Sequence, residues 1–151
     1  MPVKRAQDED DAPGPAPYVL DTQVGFLLRL ASQRHAAIFQ ESAPEGLTPT
    51  QFAALVRLAE LGSCSQNELG RRTAMDVATI KGVVDRLKAK GLVAQVPDPH
   101  DKRRFLLSIP AAHRALAERL HRAGHEITEQ TLKPLSSAER TSFLRILRKL
   151  T

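Results

Sequence analysis

Residues 76–93 read DVATIKGVVDRLKAKGLV, and residues 98–104 continue as DPHDKRR. Asp76 is a favoured residue for the start of a helix, and a cation followed by glycine, as in Lys90-Gly91, is a favoured end. The apolar residues between them recur at helical spacing: Ile80, Val84 and Leu87. The stretch therefore predicts a helix over 76–90 with an apolar inner face and a polar, cationic outer face.

Two shorter helices are predicted before it. Thr48-Pro49-Thr50-Gln51 is a capping box with proline at the first helical position, and Gly62 ends the helix that it opens. Ser65-Gln66-Asn67-Glu68 is a second capping box, which opens a two-turn helix that runs through Arg72. This helix and the helix over 76–90 are joined by only three residues, 73–75. Two short helices in this arrangement, the second richer in small and cationic residues, indicate a helix-turn-helix.

After residue 91 the helical pattern changes to that of a hairpin. Residues 92–96 and 105–109 are mainly apolar and predict two short strands, with the polar loop 97–104 between them. Lys102, Arg103 and Arg104 place three consecutive cations at the tip of this ribbon, a pattern suited to a narrow, electronegative minor groove. Asp101 is positioned to pair with Arg103 and set its direction.

The remaining segments frame this central unit. Residues 18–40 predict a helix, residues 42–46 a loop, and residues 111–132 and 136–150 two further helices. Residues 1–17 contain four prolines and an acidic run, which predicts a disordered tail. The fold class expected is mainly α with a small β-hairpin wing, with residues 47–109 as a winged helix-turn-helix domain and residues 18–46 and 110–151 as flanking helices.

Composition limits the classes of partner. The chain has 151 residues, a formal net charge of +5 and one cysteine, which excludes an internal disulfide and fits a reducing compartment. Residues 62–109 hold nine cationic and five acidic side chains, so most of the excess charge lies in the predicted helix-turn-helix and wing. No stretch approaches the roughly 18 apolar residues of a membrane span, and the hydrophilic start shows no secretory signal. We therefore expect a cytoplasmic protein whose partner is double-stranded DNA and which uses neither a membrane nor a cofactor.

The outer face of the helix over 76–90 divides into two predicted roles. Thr79 and Lys81 lie in its N-terminal half, where side chains commonly reach base edges. Arg86 and Lys88 lie further along, where phosphates are the nearer target. Gly82 allows two interpretations: it permits close approach of the backbone to DNA, or it is simply tolerated at a cost of about 1 kcal/mol. The full set of predicted DNA contacts is Ser65, Gln66, Thr79, Lys81, Gly82, Arg86, Lys88, Lys102, Arg103 and Arg104.

The run over 76–93, together with the loop over 98–104, resembles the MarR family of bacterial transcription regulators. The resemblance extends over nearly all of 18–150, and it implies that 76–90 is the recognition helix and that Arg103 enters the minor groove. It also implies that the helices over 18–40, 111–132 and 136–150 interlock with a second copy, so that the homodimer binds a pseudo-palindromic operator. Gly82 departs from the pattern, because many members carry a larger polar or basic residue there.

The same resemblance implies an effector, a small aromatic acid that binds between the dimerisation helices and the winged unit and releases DNA. It points most closely to regulators of aromatic-acid breakdown, including nicotinate catabolism. The residues predicted to hold the effector are Arg34, His35, Phe39, Thr50, Gln51 and Met75, which combine polar tips with apolar surroundings.

Other sites receive weaker support. Cys64 allows a redox-sensing interpretation, although a lone cysteine is usually inert. His121 and His125 are one helical turn apart, but two ligands are too few for a metal site, and solvated histidines are the expected alternative. No catalytic constellation stands out, so an enzyme is not expected. Three alternatives remain. The first is a redox- or metal-responsive regulator of the same fold. The second is an enzyme or small-molecule binder that uses this fold without DNA, and the third is an architectural binder without sequence preference.

Overall fold

Six α-helices and three short strands make up residues 13–151, the part of the chain that the computed structural model describes. The expected disordered tail falls largely on residues 1–12, outside the described residues. The helices are α1 (Val24–Ser42), α2 (Pro49–Leu61), α3 (Gln66–Arg72), α4 (Val77–Ala89), α5 (Leu116–Leu132) and α6 (Ser137–Leu147). The strands are β1 (Ser63–Cys64), β2 (Ala94–Pro97) and β3 (Phe105–Ser108), and single 3-10 turns lie at Leu20–Thr22, Pro44–Gly46 and Ala111–His113.

The predicted helix starts are confirmed where a capping residue marks them. Thr48 and Ser136 each form a complete capping box, and the side chain of Asp76 accepts a hydrogen bond from the backbone of Thr79. The box predicted at Ser65 is only half formed. Ser65 accepts from the backbone of Glu68, but the Glu68 carboxylate binds Arg71 and Arg72 instead of returning to the helix start.

Helix boundaries without such a signal were predicted wrongly. The helix expected from Tyr18 starts at Val24, because Gln23 is extended and the Thr22 hydroxyl and Gln23 amide bind the Val19 carbonyl in a preceding turn. The helix expected from residue 111 starts at Leu116, after a 3-10 turn that follows Pro110. The last helix ends at Leu147, three residues before its predicted end.

The wing is a three-stranded sheet rather than the predicted two-stranded ribbon. The strand order is β1-β3-β2, and both pairings are antiparallel. β1 has only two residues, with Cys64 opposite Leu107. Two residues are too few to show the alternation of polar and apolar side chains by which a strand is predicted. Leu92 and Val93, predicted as strand, instead lie before β2 and are buried in the core.

One core joins α2, α3, α4, the sheet and the first half of α5. Its largest fully buried side chains include Leu55, Leu58, Leu69 and Leu120. The crossing of α3 and α4 requires a glycine, because a Cβ on Gly70 would lie 3.1 Å from Ile80 Cγ2 and 3.2 Å from the Met75 carbonyl oxygen. This close crossing fixes the angle at which α4 leaves the unit, and therefore the direction of its exposed face.

Candidate nucleic-acid interface

Helix α4 has the two-sided character that the sequence predicts. Its inner side chains are 3% exposed or less: Ile80, Val83, Val84 and Leu87. Thr79, Lys81 and Arg86 are exposed on the other side. Asp76 fixes the start of the helix through a 2.7 Å hydrogen bond from the Thr79 amide, which holds the pKa of the Asp76 carboxyl below its usual value. The apolar face anchors the helix, so its polar face is presented as a rigid surface.

Lys81 and Arg86 are held differently on that surface. The Lys81 ammonium lies 2.8 Å from the Asp85 carboxylate one turn along the helix, and this hydrogen bond lowers the pKa of Asp85. Arg86 turns back toward Gly82, since its Nη1 atom lies 3.5 Å from the position that a Cβ on Gly82 would occupy. The surface above Gly82 is therefore bordered by a guanidinium group, an arrangement that the spacing of residues 82 and 86 permitted but did not identify.

Lys88 links the helix to the wing. Its ammonium donates a 2.6 Å hydrogen bond to Gln95 Oε1 on β2. Gln95 was absent from the predicted site, and its place in an alternating strand is the only sequence signal that could have suggested it. The contact places a cation at the junction of the two predicted DNA-binding elements.

The wing loop is ordered by its two aspartates. Asp98 accepts from the His100 amide at 2.9 Å, and Asp101 accepts from the Arg103 amide at 3.0 Å. The predicted Asp101–Arg103 pairing is present, with 3.7 Å between Asp101 Oδ1 and Arg103 Nε. The Arg103 side chain is nevertheless 94% exposed. It therefore projects from the loop, while Asp101 holds the backbone of Arg103 in place.

A polar cleft joins the wing to the first helix of the helix-turn-helix. It has a volume of about 480 Å³ and brings together three predicted DNA-binding residues, Ser65, Gln66 and Arg104. Asn67, Arg71, Gln95 and Phe105 also line it. Sequence spacing could not place residues 65–67 beside residues 104–105, because antiparallel pairing of β1 and β3 creates that proximity.

The predicted effector residues are partly committed to structural hydrogen bonds. The Arg34 guanidinium donates to the carbonyls of Thr131 and Gln130 at 2.6 and 2.8 Å, and His35 Nδ1 lies 2.8 Å from Thr131 Oγ1. These contacts hold the C-terminal end of α5 against α1. Arg34 is therefore already occupied by two carbonyl oxygens, which compete with any ligand carboxylate.

Of the other four residues, Thr50, Gln51 and Met75 lie within the winged unit, and Phe39 of α1 packs against it. Gln51 is buried and its side chain accepts from the Thr48 amide in the capping box, while Thr50 is exposed beside Thr48. Phe39 is buried with its ring 5.4 Å from that of Phe52, edge to face. Met75 packs against the core within the turn of the helix-turn-helix.

A cleft that the sequence did not reveal opens between α2 and this turn. Its volume is about 520 Å³ and its lining is mainly apolar. Phe52 and Val56 contribute apolar surface, while Arg57, Arg71 and Arg72 supply cationic groups. Thr73 and Ala74 of the turn form another wall, so an occupant of the cleft would touch the residues that orient α4.

The weaker candidate sites gain no support. Cys64 is buried, and burial raises the pKa of its thiol, which disfavours the reactive thiolate. His121 and His125 are both exposed. Among residues 13–151, no three His, Cys, Asp or Glu side chains are grouped so as to hold a metal ion. Over the same residues, no helix is both long and apolar enough to span a membrane.

Comparison with known proteins identifies the family. The MarR family profile matches residues 45–104. The transcriptional repressor NicR of Pseudomonas putida is 43% identical over 89% of this chain and 85% of its own length. A probable transcriptional regulator from Pseudomonas aeruginosa is 53% identical, with a TM-score of 0.83 over 88% of this chain and 100% of that one.

A third protein adds information about regulation. BpsR of Bordetella bronchiseptica, whose DNA binding is regulated by 6-hydroxynicotinic acid, is 43% identical, with a TM-score of 0.80 over 89% of this chain and 96% of that one. NicR is a transcriptional repressor, the Pseudomonas aeruginosa protein is a probable transcriptional regulator and BpsR is a DNA-binding protein, in agreement with the expectation that the chain is not an enzyme. The chain belongs to the MarR family of transcription regulators.

Proposed function

We propose that the chain is a repressor that binds a pseudo-palindromic operator as a homodimer and is released by a small aromatic acid. The observation that carries the proposal is the rigid polar face of α4 beside a wing whose Arg103 is 94% exposed. A helix of this kind fits the major groove, and an arginine at a hairpin tip fits the minor groove. Because the proposed target is chromosomal DNA, we expect the protein to act in the bacterial cytoplasm.

The geometry suggests a division of labour among the cations. Thr79 and Lys81 occupy the first half of α4, where base edges are reached. Because Asp85 already holds Lys81, a base contact from Lys81 must replace or share that ion pair. Arg86 borders the small surface over Gly82, and this position allows it to contribute to base recognition as well as to bind phosphate. The remaining contacts, expected to be with phosphates, come from Ser65, Gln66, Lys88, Lys102 and Arg104.

Operator binding can be tested by a salt titration with two DNA duplexes. One duplex carries the promoter region upstream of the protein's own gene, and the other has the same base composition in scrambled order. A specific regulator binds the first duplex more tightly at every salt concentration, by about 10³-fold or more near physiological salt. Equal affinities would instead indicate an architectural binder, and no binding at low salt would refute the DNA-binding function.

Dimerisation is supported by exposed apolar surface on the terminal elements. Large apolar side chains are more than a third exposed before and within α1, on α6 and just after α6: Tyr18, Val19, Leu20, Val24, Leu27, Leu28, Leu30, Phe143, Leu144, Ile146 and Leu150. Large exposed apolar surface on the terminal elements of a single chain is typical of a protein interface. The helices that frame the winged unit therefore supply a surface for a second copy.

The effector proposal rests on two observations. The relative BpsR responds to an aromatic acid, and the cleft between α2 and the turn combines Phe52 and Val56 with Arg72. Its volume of about 520 Å³ is large enough to admit an aromatic ring with a carboxylate. An acid that drew Arg72 away from Glu68, 2.8 Å from Arg72 Nε, would disturb the C-terminal end of α3 next to the turn.

Two arginine variants distinguish this cleft from the site predicted around Arg34. A panel of benzoates, salicylates and hydroxypyridine carboxylates should raise the Tm of the wild type and release it from DNA. Arg72→Gln should lose both responses if the acid binds in the cleft, whereas Arg34→Gln should lose them if it binds near α1 and the end of α5. No response of the wild type to any member of the panel would refute regulation by an aromatic acid.

A further inference from the structure

The Pro44–Gly46 turn connects the end of α4 to α5. Lys90 follows the last residue of α4, and its ammonium donates to the carbonyl of Glu45 at 3.0 Å and to that of Gly46 at 3.4 Å. The Glu45 carboxylate accepts a 2.9 Å hydrogen bond from Arg119 Nη1 on α5. One residue, Glu45, thus receives a cation from the candidate recognition helix and a second cation from α5.

The backbone of Glu45 is unusual for its residue type. It lies in the left-handed region, with φ 59° and ψ 16°, and is followed by Gly46 at φ 62°. Glycine or asparagine occupies this region at lower cost than a longer side chain. Strain of this kind persists where surrounding contacts maintain it. The contact with Arg119 is one that glycine could not make, and the buried Leu47 fixes the chain immediately afterwards.

We infer that Glu45 is a positioning residue that sets the angle between the recognition helix and α5. This inference rests on the proposed function, in which α5 belongs to the dimerisation region and α4 enters the DNA. In such a dimer the angle determines how far apart the two recognition helices lie, and therefore which half-site spacing the protein accepts. The core contacts of Leu116 and Leu120 hold α5 against the winged unit, and the turn adds a second point of attachment at the far end of α4.

The expected effect concerns selectivity for spacing rather than folding. Both partners of the Glu45–Arg119 pair are substantially exposed, at 40% and 48%, so the loss of the pair should alter affinity by only about two- to fivefold. Glu45→Gly removes the carboxylate but keeps the carbonyl that Lys90 binds, and glycine adopts the left-handed backbone readily. The Tm of this variant should therefore remain close to that of the wild type.

The experiment uses the full-length protein and an operator obtained by selection from random DNA with the wild type. Affinity is measured for that operator and for versions with one base pair inserted or removed between the half-sites. For the wild type each change should weaken binding steeply. The quantity compared is the Kd for an altered spacing divided by the Kd for the selected operator. For Glu45→Gly and for Arg119→Gln this ratio should fall by about two- to fivefold, and the double variant should show no further fall.

A matched control comes from α2. Arg57 and Glu60 form an ion pair of similar exposure, 47% and 45%, within a single helix, so Glu60→Gln should leave the spacing profile unchanged. Exchanging the charges, with Glu45→Arg and Arg119→Glu together, should restore the wild-type profile. A profile for Glu45→Gly and Arg119→Gln that matches the wild type would refute the positioning role. Failure of the wild type to select any two-fold-symmetric DNA would refute the proposed function itself.

Discussion

Replacing Gly82 by alanine separates the two interpretations of this glycine, because one predicts weaker DNA binding and the other unchanged binding, while both predict the same effect on folding. Gly82 lies in the interior of α4, on the helix that we propose enters the major groove. A Cβ added there would meet only Arg86 Nη1, at 3.5 Å, which is an ordinary contact distance. The free protein can therefore accept the methyl group without rearrangement.

The size of the folding effect follows from helix propensity. Alanine is more favourable than glycine in a helix interior by about 1 kcal/mol, and nothing in the neighbourhood of Gly82 offsets this gain. For a chain of this length that gain corresponds to a rise in Tm of about 2–4 °C. If the backbone at Gly82 approaches the DNA closely, the methyl group must displace the helix, and a steric penalty of about 1–3 kcal/mol per copy weakens binding at least tenfold.

Thermal denaturation and fluorescence anisotropy with operator DNA measure the two effects separately. The matched control is Gly124→Ala in α5, where the added Cβ would contact the Phe52 ring at 3.4 Å and no DNA is expected. Close approach predicts a higher Tm with weaker operator binding for Gly82→Ala alone. A higher Tm with an unchanged Kd would refute close approach and leave Gly82 as a tolerated glycine, and a lower Tm would refute the account of helix stability.

Three further predictions concern the wing, the start of α4 and the dimer. Arg103→Ala should leave the Tm unchanged, because the side chain is 94% exposed. It should also reduce the slope of log Kd against log salt concentration by about 0.9 per wing. Lys133→Ala at the far end of α5 is the control, and an unchanged slope for Arg103→Ala would exclude the wing from binding. Asp76→Ala should lower the Tm by about 2–4 °C at neutral pH. The hydrogen bond from Thr79 lowers the pKa of Asp76 in the folded protein. The contribution of Asp76 to stability is therefore present above its ordinary pKa of about 3.9, and it is lost as the pH falls through the lower pKa of the folded state. A Tm difference between the variant and the wild type that persisted in acid would contradict this. Leu28→Glu should give monomers in analytical ultracentrifugation, with Val96→Glu on the wing still dimeric, and a dimeric Leu28 variant would place the interface elsewhere.

Capping chemistry explains why much of the fold could be predicted from the sequence. Thr48, Asp76 and Ser136 each satisfy a backbone amide within three residues, so the information that starts these helices is local. The start of α1 could not be predicted in the same way. Gln23 provides no side-chain cap, and the preceding turn depends on bonds to the Val19 carbonyl that apolar periodicity does not reveal.

The same distinction, between local sequence signals and contacts made by tertiary packing, applies to the candidate site. Helical spacing correctly placed Thr79, Lys81 and Arg86 on the exposed face of α4. It could not show that Arg34 binds carbonyl groups 96 and 97 residues away, because only tertiary packing brings α1 to the end of α5. The cleft next to the turn was missed for the same reason, since its walls come from two helices and from a turn whose Ala74 has a positive φ of 54°.

The acidic residues of the winged unit explain how a basic surface can be selective. Residues 62–109 contain five carboxylates among nine cations, and each of the five is hydrogen-bonded: Glu68 to Arg71 and Arg72, Asp76 to Thr79, Asp85 to Lys81, Asp98 to His100, and Asp101 to Arg103. They reduce the net attraction to DNA of any sequence, which is the part of the binding energy that phosphate neutralisation supplies. These carboxylates also fix the start of α4, the direction of Lys81 and the shape of the wing before DNA binds. Selectivity is a difference between affinities. A surface with weaker general attraction but fixed geometry therefore has a higher ratio of specific to non-specific binding. That ratio decides whether a regulator finds its operator in a genome.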